Sequence, residues 1–104
     1  MKMIWAVIRS AKVEAVTSAL KSIGATGCTI SRIRGYGEEW HLYEPLIHGG
    51  HHKLEIILPD DQAEKVAREI TENAWTGLKG DGIVSVLDVG NITTIRSKNW
   101  KRDT

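Results

Sequence analysis

Residues 2–9, KMIWAVIR, are apolar on both alternating sets, Met3, Trp5, Val7 and Ile4, Ala6, Ile8. Rich in β-branched and aromatic side chains and bounded by charge, the segment reads as a strand that must be covered on both faces. In a chain of 104 residues and 11.6 kDa, one domain with a modest core, that demand is heavy. A single layer of helices covers one face, so the other calls for a second copy of the chain.

The elements that follow supply the first layer. Ser10 is placed to cap a helix carrying Val13, Val16, Leu20 and Ile23 on one stripe, closed by Gly24 at the expected left-handed position. CTISRIRGYG, 28–37, reads as a second strand leaving the sheet through Gly35 and Gly37. Residues 38–52 show no period and contain Pro45 and Gly49-Gly50, which predicts a loop. A third strand is expected over 53–59, ended by Pro59. A second helix follows with Ala63, Val66, Ala67, Ile70 and Ala74 on one stripe and Asp61 and Glu64 spaced as a capping box. IVSVLDVG, 83–90, predicts a fourth strand, then a short strand-like ITTIR and a polar tail over about 97–104. This order is a split βαβ pattern, an α+β ferredoxin-like βαββαβ sandwich with an antiparallel sheet and both helices on one face.

Composition excludes some functions. Fourteen basic and 13 acidic residues leave a formal charge of +1, so no global field favours nucleic acid or a membrane surface. No apolar run approaches the ~20 residues of a membrane helix. The lone Cys28 forms no internal disulfide and reads as a small buried hydrophobe; Trp75 and Trp100 read as packing residues. A cytoplasmic protein that does not insert into membranes is expected. No Ser/His/Asp set, catalytic carboxylate pair or Cys/His nucleophile stands out, so no enzyme is expected.

Two segments carry possible chemistry. TGLKGDG, 76–82, is either a tight helix-to-strand turn needing positive φ or a phosphate cradle, since glycine backbones approach anions closely and present N–H groups. All four histidines, His41, His48, His51 and His52, fall between the second and third strands. They suit a metal ion, a pH-responsive or partner-contacting loop, or an ordinary surface, and their spacing matches no strong metal signature. Trp40, Tyr43, Leu46 and Ile47 make the same loop apolar enough to dock a partner or to fold back on the body.

The opening MKMIWAVIR, the GATGCTISRIRGYG strand, KLEIILPDDQAEKV, the TGLKGDG turn and the closing TIR, in this order along nearly the whole chain, resemble the PII signal-transduction, or nitrogen regulatory, family. The resemblance implies a homotrimer with clefts between subunits that bind ATP, ADP and often 2-oxoglutarate, and a long loop that docks on a regulated membrane transporter or enzyme. It assigns nucleotide contacts to Thr29, Gly35, Gly37, Glu55, Thr76, Gly77, Lys79, Gly80, Asp81, Gly82 and Arg96. The chain departs from the family pattern where charge matters. Leu78 and Ile83 stand at basic positions, Lys79 is displaced by one, Thr94 replaces one of two arginines, and Glu38 follows Gly37 where a basic residue is usual. The glutamine serving magnesium and 2-oxoglutarate is missing, and the shortened loop lacks the RGAEY segment. The expectation is therefore ADP or AMP over ATP, without 2-oxoglutarate and without uridylylation. The alternatives are a metal-responsive trimer built like the divalent-cation tolerance proteins, and an interaction trimer with an inactive cleft.

Overall fold

A computed structural model describes residues 1–35 and 50–102. Strand β1 (Lys2–Arg9) leads through a 3₁₀ turn (Ser10–Lys12) into α1 (Val13–Ser22), followed by β2 (Thr29–Ile33), β3 (His51–Leu58), α2 (Asp60–Ala74) and β4 (Gly82–Asp88). The sheet order is β2-β3-β1-β4, antiparallel at every pairing. Among the described residues no helix is long and apolar enough to cross a membrane.

The alternation in β1 divides its side chains as expected. Ile4, Ala6 and Ile8 join Leu54, Ile56 and Leu58 of β3, Val16 and Leu20 of α1, and Ala63, Val66, Ile70 and Ala74 of α2 in one buried cluster. Burying such a side chain stabilises by about 1.5–3 kcal/mol, enough for this face to select the register. On the other face Val7 is fully buried, whereas Met3 and Trp5 stay partly exposed beside Ile57, 48 % exposed, and Leu87, 43 % exposed. That face keeps an apolar surface.

Helix α1 ends as its sequence suggests. Gly24 takes φ 86°, its N–H donates to the Lys21 carbonyl, and the Ala25 N–H donates to the Leu20 carbonyl, the double bond of a Schellman cap. Its start differs from expectation. Ser10 lies in the 3₁₀ turn and its hydroxyl bonds His52 instead of capping α1, whose N-cap position carries no side-chain bond. Likewise α2 has Pro59 at its N-cap and no capping box between Asp61 and Glu64. Asp60 in its first turn meets the terminal ammonium of Met1 at 2.7 Å, a carboxylate near the positive helix end.

Other expectations change in the structure. β2 occupies 29–33 of the expected 28–37. β3 begins at His51, two residues inside the expected loop, because His51 and His52 continue the ladder opposite Arg9 and Ile8. The expected polar tail contributes a strand, β6 (Asn99–Arg102), which pairs with β5 (Asn91–Thr94) in a hairpin whose turn holds Lys98 at φ 56°. Cys28 is exposed, since it precedes β2 at the edge of the sheet. Trp75 is 67 % exposed, because the chain leaves α2 in an extended conformation there and the indole lies over Gly77 rather than in the core.

Candidate functional site

The turn 76–82 joins α2 to β4, and its glycines are needed for two different reasons. Gly77, Gly80 and Gly82 take φ of 84°, 101° and 108°, a region that side chains disfavour. Gly82 also lies against β1: a Cβ there would sit 1.8 Å from the Val7 carbonyl oxygen. At Gly80 the nearest atom to a Cβ is the Arg9 guanidinium, 3.3 Å away.

Asp81 organises the inside of the turn. Its carboxylate accepts the Thr76 N–H at 2.8 Å, the Gly77 N–H at 2.9 Å, the Thr76 hydroxyl, and Arg9 Nε–H at 2.9 Å. The Thr76 hydroxyl oxygen in turn accepts the Leu78 N–H at 3.1 Å. Desolvation pushes the Asp81 carboxyl up, but the Thr76 hydroxyl and amide, Arg9 and the Gly77 amide together outweigh it and hold the group far below the usual carboxylate range. Asp81 is thus an internal anion occupying the Thr76 and Gly77 amides, which the family resemblance had offered to a nucleotide.

Two side chains from the sheet grip the other carbonyls. Arg9 Nη2 donates to the Lys79 oxygen at 2.9 Å. His51, 2 % exposed, lies 2.8 Å through Nε2 from the Gly80 oxygen; a carbonyl only accepts, so Nε2 carries the proton. Arg9 and His51 are register partners on β1 and β3, and the adjoining Ser10 N–H donates to the Gly50 carbonyl at 3.0 Å. Neither residue is marked as a turn contact by local sequence, because both lie far along the chain from residues 79 and 80. The available signal was the position of His51 directly before an apolar strand.

The turn borders a cavity of about 580 Å³ with Val7, Thr71, Trp75, Leu78 and Ile83. Of its lining residues the charged ones are Lys79 and the Arg9-paired Asp81, so Lys79 is the one cation facing it among the described residues. Thr29 and Glu55 lie elsewhere. They are register partners on β2 and β3 and line a second cavity of about 470 Å³ with Met3, Cys28 and Gln62. Glu55 also meets Lys53 at 3.5 Å. Thr29 sits on the edge strand opposite β4, and Glu55 lies four residues beyond His51 along β3, in register with Trp5, so the two line a different cavity from the glycine turn of the same chain. Gly35 follows β2, and Arg96 is exposed in the β5–β6 turn, away from regular packing.

The histidines separate. His51 and His52 belong to β3, with His52 Nδ1 2.7 Å from the Ser10 hydroxyl. Among the described residues no three of His, Cys, Asp and Glu converge as a metal site. Gly37, Glu38, Trp40, His41, Tyr43, Leu46, Ile47 and His48 lie outside the described residues.

Comparison with known proteins agrees with this architecture. Residues 1–99 match the family model described as nitrogen regulatory protein P-II. The nitrogen regulatory protein P-II of Pasteurella multocida is 33 % identical over 111 aligned positions, covering 99 % of this chain and 98 % of that protein. P-II 1 of Escherichia coli K12 is 34 % identical, covering 93 % of each. The crystal structure of Arabidopsis thaliana PII bound to citrate superposes with a TM-score of 0.81 at 34 % identity, covering 96 % of this chain and 87 % of that one. Coverage from the first strand to the hairpin, together with the four-stranded sheet and its glycine turn, makes this chain a member of the P-II family of nitrogen regulatory signalling proteins.

Proposed function

We propose that this protein is a trimeric sensor, not an enzyme, that binds an adenine nucleotide between subunits, prefers ADP or AMP to ATP, and regulates a partner protein through residues 38–52. The observation that carries the reading is the glycine turn beside a cavity lined, among the described residues, by one cation, Lys79. The turn suits phosphate because Gly77, Gly80 and Gly82 take positive φ and carry no side chain, so backbone N–H groups there can approach an anion closely. Thr29 on the edge strand β2 and Glu55 beside it on β3 line a separate cavity from the turn, as a cleft shared between two copies requires. Each charge-assisted phosphate contact contributes about 1.5–3 kcal/mol, so apolar Leu78 and Ile83 leave an outer phosphate without that gain. A relative bound to citrate supports binding of a small anionic effector by this fold.

Calorimetry with ADP, AMP and ATP tests the preference. Wild type binds ADP or AMP more tightly than ATP, and Ile83→Lys raises ATP affinity more than ADP affinity, by about tenfold for one added charged contact. Tighter binding of ATP than of ADP by wild type, enhanced by 2-oxoglutarate, refutes it. Silence towards all three at millimolar concentration leaves the interaction trimer with an inactive cleft.

A further inference from the structure

The carbonyls of Lys79 and Gly80 are consecutive, and each is held by a side chain from the end of the sheet, the first by Arg9 Nη2 and the second by His51 Nε2. A trans peptide is planar, with its C=O and N–H pointing in opposite directions. Drawing the Lys79 oxygen towards Arg9 therefore turns the Gly80 N–H away from Arg9. Drawing the Gly80 oxygen towards His51 does the same for the Asp81 N–H. We infer that Arg9 and His51 are positioning residues that fix two successive amides of the turn as a preset pair of donors for a phosphate oxygen. This inference rests on the nucleotide reading above.

Three features suit the pair to the task. Both residues belong to strands, in direct register, so the anchor is set by the β1–β3 ladder. Arg9 spends its guanidinium on two partners at once, Asp81 through Nε and Lys79 through Nη2, a fork that a lysine lacks. Gly80, at φ 101° with Arg9 directly behind it, accepts this backbone conformation at low cost. His51 is also the first residue of β3, next to the loop assigned to partner binding, so the same histidine ends the loop and sets the phosphate donors.

The test uses ADP and, as a phosphate-free probe, adenosine, on the full chain. His51→Gln keeps a donor near the place of Nε2; His51→Asn places its amide near that of Nδ1; His51→Leu has none. ADP affinity is expected to fall by about tenfold in His51→Asn, His51→Leu and Arg9→Lys and to stay within about threefold in His51→Gln, while adenosine affinity is unchanged in all four. Wild-type ADP affinity in His51→Leu, an equal loss in His51→Gln, or a parallel loss of adenosine overturns the inference. Amide NMR spectra report folding and supply an independent readout. If wild type binds no ADP at millimolar concentration, the nucleotide reading falls, and the anchor is judged by these spectra. Gly80 and Asp81 resonances that move in His51→Asn and His51→Leu but hold in His51→Gln sustain it; unmoved resonances in His51→Leu overturn it.

Discussion

Gly82→Ala is expected to damage the fold more than any other single methyl added to the turn. The new Cβ would lie 1.8 Å from the Val7 carbonyl oxygen, 2.7 Å from its carbon and 3.3 Å from Ile8 Cα, all backbone atoms with no flexible end to give way. Relieving the contact moves the start of β4 away from β1 and breaks the pairing of Gly82 with Ile8 and of Ile83 with Val7. Each lost ladder bond costs about 1 kcal/mol, and φ of 108° in a residue with a Cβ costs about 1–3 kcal/mol more. Val7 and Ile8, at 0 % and 1 % exposure, begin to be wetted as well. The sum is about 3–5 kcal/mol, a large share of the ~5–15 kcal/mol that holds a domain together. Urea denaturation at fixed protein concentration measures it, because subunit association would otherwise shift the midpoint. Gly90→Ala is the control: nothing lies within 4 Å of its added Cβ and its φ is outside the left-handed range, so its effect stays within about 1 kcal/mol. A loss below about 1 kcal/mol in Gly82→Ala would refute the close-approach argument.

Gly80→Ala meets a side-chain end, the Arg9 guanidinium at 3.3 Å, and no backbone, so its stability cost is smaller, about 1–2 kcal/mol by the same denaturation, while calorimetry shows ADP affinity falling sharply as Arg9 is displaced. Asp81→Asn puts an amide donor among the groups that donate to the carboxylate and destabilises by about 2 kcal/mol in urea. Because the folded Asp81 carboxyl sits below its ordinary value near 4, its contribution is complete above about pH 4 and is lost as pH falls towards the folded-state value; the stability gap between wild type and Asp81→Asn is flat above pH 4 and narrows below it. Light scattering at micromolar concentration gives a trimer mass, and a stable monomer contradicts the assembly.

The regular elements were legible because their signals are local. The stripes of α1 and α2 appear as expected, with Val16, Leu20, Ala63, Val66, Ile70 and Ala74 buried, and Gly24 closes α1 where only a left-handed residue serves. Errors arose where a long-range partner decides. Ser10 looks like a cap until β3 brings His52 within 2.7 Å, and His51 looks like loop until register sets it beside Arg9. The β5–β6 hairpin was obscured by its polar sequence, since pairing there depends on backbone bonds more than on an apolar face. At the site, the glycines announced a turn, but residue types alone could not show that Asp81 faces inward and consumes two of its amides. The resemblance placed Thr29 and Glu55 in one site with the turn, and only the strand order and the register along β3 separate them within a chain.

That separation makes defects in the two halves complementary. In the trimer proposed above, each cleft would take its glycine turn from one subunit and its Glu55 from the next. Chains crippled at Gly80 and chains crippled at Glu55 are each silent alone. Unfolded together in equal amounts and refolded, they assemble at random, and about a quarter of the clefts receive two intact halves, being those where a subunit with a sound turn precedes one with a sound Glu55. Such a mixture recovers ligand binding with unaltered affinity but reduced stoichiometry, whereas a cleft contained within one polypeptide recovers none.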